Sequence, residues 1–142
     1  QTGDLVQNHG HDAEHDEDVH EVVPDDEHGA ISVDANDPDA ILDATQELIV
    51  ELVDRNDLTP ERVVSAIFTA TADRDSEFPA VAARRLGWDR VPLLCAREID
   101  VPGALPRIIR VLLHYYAEED HTARHVYLRE ARALRADIEA AQ

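Results

Sequence analysis

The chain of 142 residues carries a formal charge of −18 at pH 7 and 44 % hydrophobic residues, proportions of one soluble globular domain with a core and too short for two comfortable ones. That charge argues against nucleic acid and against an anionic membrane as partners, and no apolar run approaches the roughly 20 residues that span a bilayer. A single cysteine excludes an internal disulfide framework and makes a reducing cytoplasm the expected location.

Ten of the 31 acids fall within residues 1–28, which hold no arginine; lysine is absent throughout, so all 13 bases are arginine, the cation suited to bidentate carboxylate recognition. Residues 1–27, "QTGDLVQNHGHDAEHDEDVHEVVPDDE", lack apolar periodicity and read as a disordered acidic tail ahead of a domain spanning 28–142. His9, His11, His15 and His20 lie there among carboxylates. Such tracts hold divalent cations loosely, but the spacing matches no closed tetrahedral site, so a solvated tail is the simpler reading and no metal is assigned. The chain opens on Gln1 rather than Met, which leaves room for a piece upstream.

Order is expected to begin with a short strand at 28–34, where Ile31 and Val33 alternate with Ser32 and Asp34. The clearest helix follows: Asp37 is its N-cap, Pro38 its first residue, and Ile41, Thr45, Leu48, Ile49, Leu52 and Val53 form one apolar stripe. Residues 63–70, rich in β-branched side chains, read as a buried strand. A short helix is expected from Pro79 to Leu86, stopped by Gly87, then a strand in "VPLLCA". In "LPRIIRVLLHYYA" a longer strand places Arg110, Leu112, His114 and Tyr116 on one face. "HVYL" at 125–128 is a last strand, and "REARALRADIEAA" a closing helix with Ala131, Leu134, Ile138 and Ala141 inward. Strands interleaved with helices make a mixed α/β or α+β domain.

Several catalytic constellations are missing. None of the five glycines is spaced for a phosphate loop, and there is no Gly-x-Ser-x-Gly elbow. Cys95 with His114, His121 or His125 would supply a thiol and a base, but a buried inert cysteine at a strand end is the commoner case. What stands out is Arg110 inside "PRIIRVLL". A guanidinium there must either pair with an acid, Glu98 or Asp100, or face a cavity as an anion site, which Arg84 and Arg135 would extend.

From about residue 28 to 136, "FTATAD", "EFPAVAARRLGW", "VPLLCAREIDVPGALPRIIRV" and "HVYLREARALR" stand in the order and near the spacing of the AroH class of chorismate mutases. The chain resembles that class, whose members are small trimeric pseudo-α/β-barrels. The resemblance implies a cofactor-free Claisen rearrangement of chorismate to prephenate, in aromatic amino-acid biosynthesis, at sites between the subunits of a homotrimer. It gives Arg110 the ether oxygen and a carboxylate, and Glu98 the ring hydroxyl with Cys95 beside it. Phe78, Ala80, Arg84 and the Leu93–Leu94 backbone would line the pocket from a neighbouring subunit, and Tyr127 and Arg135 would hold the other carboxylate. Two positions depart from the pattern: His28 stands where the class carries an arginine, and Val81 where it often carries a second base. Those departures, with the acidic tail, motivate an alternative, a homologue whose activity is weakened or redirected to another chorismate-like dicarboxylate.

Overall fold

The computed structural model describes residues 21–135. The four tail histidines, and the expected C-terminal helix beyond residue 135, lie outside the described residues.

Five strands make one mixed sheet in the order β3-β2-β4-β1-β5: β1 (Val22–Ser32), β2 (Val63–Ala70), β3 (Leu93–Arg97), β4 (Ile108–Glu118) and β5 (Val126–Leu128). β4 runs antiparallel to β1 and β2, whereas β3 joins β2 and β5 joins β1 in parallel. Two helices, α1 (Pro38–Asn56) and α2 (Ala80–Arg85), complete the mixed α/β architecture.

α1 forms as its sequence dictates. The Asp37 carboxylate accepts from the Ala40 N–H at 2.8 Å, Pro38 opens the first turn, and Asp57 closes the helix in the left-handed region at φ 51°. Its buried face, Ile41, Leu42, Ala44, Thr45, Leu48, Ile49 and Leu52, packs on one side of the sheet. There it meets Ile109, Val111, Leu113 and Tyr115 of β4 with Phe68 and Ala66 of β2. Gly29 permits that approach: a Cβ there would stand 2.8 Å from Leu52 Cδ1 and 3.0 Å from Leu48 Cδ1.

The alternate residues of β4, Arg110, Leu112, His114 and Tyr116, point to the opposite, open face, as their spacing predicts. For the same reason β2 is buried on one side only, with Val64, Ser65 and Ile67 left partly or wholly exposed, rather than buried throughout.

One boundary differs from expectation. β1 begins at Val22, so "VVPDDE" is strand and not tail, paired with β4 from Val22 opposite Glu118 onward. β5 pairs with β1 only at Gly29–Ile31, so Pro24 lies on a stretch whose outer edge is free and its missing N–H costs no ladder bond. At the other end a single 3₁₀ turn, Arg129–Ala131, precedes helical backbone at 132–135. Ala131, Ala30 and Ile108, with Leu105, Tyr127 and Leu134, close one end of the open face. Among the described residues no helix is long and apolar enough to cross a membrane.

Candidate active site

Register assembles the site. Directly paired residues share a face, and one row across the open face reads Ala96, Thr69, Arg110, Ala30, Tyr127 from β3 to β5. The next row reads Leu94, Ile67, Leu112, His28. Small Ala30 and Ala96 in the first row leave floor space between larger neighbours. The result is a hollow of about 400 Å³ lined by His28, Gly29, Ile67, Thr69, Glu98, Arg110, Val111, Leu112 and Tyr127.

Arg110 and Glu98 form an ion pair, Nε to Oε1 at 3.1 Å, with side chains 43 % and 26 % exposed. The pair is thus at the rim of water, where an ion pair contributes little to stability. Nor is it a finished contact. Arg110 Nε is buried without an aligned hydrogen bond, and Thr69 Oγ1, its neighbour in the row, is buried with no partner. Buried polar atoms normally find partners, so a Thr69 hydroxyl that has none among the described residues, beside an Arg110 Nε whose contact with Glu98 is poorly aligned, marks a surface ready for a polar ligand. Thr69 was absent from the expected site. Its signal was its place in "FTAT", but only the β2–β4 register sets it opposite Arg110.

His28 lies at the hollow's rim, its backbone N–H donating to His125 Nδ1 at 2.9 Å, the two rings stacked with centroids 5.3 Å apart. Arg135 reaches the same edge, its Nη1 3.5 Å from the His125 carbonyl oxygen.

Cys95 is elsewhere. It pairs with Phe68 on the helix-facing side of β3. It lines a second hollow of about 330 Å³ with Phe78, Pro79, Arg74, Thr71 and Arg97. The Ala80 N–H donates to its sulfur, but burial dominates and pushes the thiol up from its ordinary value. The Cys95–histidine pairing considered above is not formed: His114 bonds Ser65 Oγ at 3.2 Å on the opposite face, His121 meets the Tyr115 hydroxyl at 3.1 Å, and His125 is engaged with His28. Arg84, on α2, turns its guanidinium to the Trp88 carbonyl oxygen. Leu93 packs on the core, Leu94 is exposed on the open face, and Val81 packs against the core rather than leaving a gap. Within one chain, therefore, Arg110, Glu98, His28 and Tyr127 meet in one hollow, while Cys95 and Phe78 belong to another, beside Ala80 and Arg84.

Among the described residues no group of three or more histidines, cysteines or carboxylates is arranged to hold a metal ion. The nearest concentration of acids, Asp25, Asp26 and Glu27, belongs to β1. Glu27 is fully buried on the core side, its Oε1 without a partner and its Oε2 3.4 Å from the Tyr115 hydroxyl.

Comparison with known proteins identifies the family of the chain. The family model for chorismate mutase type I matches residues 28–138. The chain is 50 % identical over 116 residues to the chorismate mutase AroH of Thermus thermophilus, covering 80 % of this chain and 95 % of that one. It is 38 % identical over 112 residues to the chorismate mutase AroH of Bacillus subtilis, covering 78 % and 88 %. Among solved structures, a chorismate mutase from Clostridium thermocellum superposes with a TM-score of 0.72 at 41 % identity, covering 76 % of this chain and 97 % of that one. On this evidence the chain belongs to the type I chorismate mutase family.

Proposed function

We propose that the chain rearranges chorismate to prephenate, as a homotrimer whose sites form where two copies meet. The observation that carries the reading is the open-face hollow in which Arg110, Glu98, His28 and Tyr127 converge, on a chain of this family. The rearrangement is intramolecular: a C–O ether bond breaks as a C–C bond forms, with no covalent intermediate and no net proton transfer. The protein's task is to hold the side chain over the ring in a chair and to match the charge that develops in the transition state.

Arg110 meets the ether oxygen as negative charge builds there, and a substrate carboxylate besides; its unaligned Nε is the donor the ligand satisfies. Glu98 accepts from the ring hydroxyl and faces the ring as it turns positive. Tyr127, Arg135 and His28 take the remaining carboxylate side. Phe78 and Cys95 come from the second hollow of a neighbouring copy, Cys95 as a neutral thiol against the ring, and Ala80, Arg84 and the Leu93–Leu94 backbone come from the same copy. Exposed apolar residues support such assembly: Leu94 is 59 % exposed and Tyr116 46 % on the open face, and Ile99 85 % on the following loop. A cytoplasmic location suits the chain's one cysteine, present as a free thiol. Family membership and two curated relatives named as mutases favour an active mutase over a redirected homologue.

The test is loss of chorismate's ultraviolet absorbance, with acid conversion of the product to phenylpyruvate as confirmation. Arg110→Ala should lower kcat by about 100-fold or more, the scale of removing one preorganised donor. Arg110→Lys, which keeps charge but not the planar fork, should recover only part. Absence of turnover by the native chain at every pH overturns the assignment. Retention of most activity in Arg110→Ala overturns the role of that residue alone.

A further inference from the structure

His28 and His125 touch twice, through the amide-to-Nδ1 hydrogen bond of 2.9 Å and through ring faces inclined at 29°. The amide requires a lone pair on Nδ1, so the proton of neutral His125 must sit on Nε2. Imidazolium at His125 would set N–H against N–H and break the contact. No such commitment binds His28: among the described residues neither of its ring nitrogens has a hydrogen-bond partner. Two imidazolium rings stacked this closely would also repel, so the pair holds one proton far more readily than two.

We propose that His125 is a positioning residue for His28: as the Nε2–H tautomer it clamps the His28 amide and ring in place beside the substrate hollow. The proposal deepens the mutase reading and rests on it, because His28 matters there only as the side chain standing in the family arginine's place. Charged and titratable groups surround the pair from every side. Asp25 and Asp26 of β1 favour a proton on His125 and Arg135 of the C-terminal segment opposes one, while Glu98 and Arg110 line the hollow beside His28, and His114 and Tyr127 lie on β4 and β5. At His125 the balance is unfavourable to charge: burial lowers its proton affinity first, His28 and Arg135 add to that, and the two aspartates only partly counter them. The consequence is an acid limb in kcat/KM, where His125 takes a proton at Nδ1 and releases the His28 amide.

Two experiments decide it. Long-range ¹H–¹⁵N spectra of the free protein's imidazoles across pH should show His125 as the Nε2–H tautomer, with the His28 amide signal moving as His125 takes up its proton. An Nδ1–H tautomer at His125, or proton uptake by His125 that leaves the His28 amide signal unmoved, overturns the proposal. This readout needs no chorismate, so a chain that never turns chorismate over would refute the mutase reading and leave this result standing. In kinetics, His125→Asn keeps an acceptor near Nδ1 without a titrating ring, while His125→Phe keeps the ring face without the acceptor. The asparagine variant should stay within about threefold of native kcat/KM and lose the acid limb, and the phenylalanine variant should fall about tenfold, the worth of one hydrogen bond. A phenylalanine variant with native kcat/KM and pH profile, or equal losses in both, overturns the proposal.

Discussion

Glu27 and His28 are neighbours in the chain, and the alternation of a strand sends them to opposite faces with opposite consequences. His28 meets water and the hollow. Glu27 enters the core opposite Leu113, where burial pushes its carboxyl up to about 8, against a small lowering by the Tyr115 hydroxyl and with Asp25 adding to the rise. It is therefore protonated when folded at neutral pH and ionised when unfolded. The linkage sign follows: the unfolded chain binds fewer protons, so stability is fully present below the ordinary glutamate value near 4.5 and is lost as pH rises through about 8. The loss is on the order of several kcal/mol across that window, since each pH unit of difference corresponds to about 1.4 kcal/mol. Glu27→Gln should flatten the slope, and Glu27→Leu should also raise Tm at pH 8 by replacing a buried carboxyl whose Oε1 has no partner. Thermal unfolding of the three proteins at pH 6 and pH 9 checks this. Equal slopes for native and Glu27→Gln would show that another group governs the alkaline loss.

Elements whose signals are local were legible before the fold was known. α1 announces itself through Asp37, Pro38 and a stripe of period 3.6, and each of those residues does in the structure what its type suggests. Asp37→Ala should cost about 1 kcal/mol by leaving the Ala40 amide without its acceptor, measurable by urea unfolding. Gly29→Ala should cost more, because the added methyl meets both Leu48 and Leu52 and the α1–β1 contact must open. β4 was legible for the same local reason, its alternation separating Ile109, Val111 and Leu113 from Arg110, Leu112 and His114. The start of β1 was not. Asp25, Asp26, Glu27 and Pro24 each argue against a strand on propensity, and only pairing with the long β4 overrides them. Site membership divided likewise. Arg110 was conspicuous as a charge in an apolar run, whereas Thr69 depends on inter-strand register and Cys95's face depends on which way β3 is pleated; neither is encoded within a few residues.

At the scale of the whole molecule, the described residues include the two hollows already named and a sheet face with Leu94, Tyr116 and Val64 exposed to water. The two hollows differ in their lining. The first holds the cation and carboxylate, Arg110 and Glu98, and the second the ring wall, Phe78 with Cys95. In the proposed homotrimer every interface would be heterologous, and one that set the first hollow of one copy against the second of the next would give three equivalent sites. This arrangement makes a prediction that a site contained in one chain does not. Arg110→Ala disables the first hollow and Phe78→Ala the second, and each variant alone should be nearly inactive. Unfolded together in denaturant and refolded as an equal mixture, they form hybrid trimers. A site is native wherever the Phe78→Ala copy contributes its intact first hollow and the Arg110→Ala copy its intact second. Random assembly makes that combination at about one interface in four, so the mixture should recover roughly a quarter of native activity, with the molecular mass of a trimer by light scattering. Activity that stays at the level of the separate variants, while the trimer mass is present, would mean that each copy completes its own site, and the two hollows would then need separate explanations.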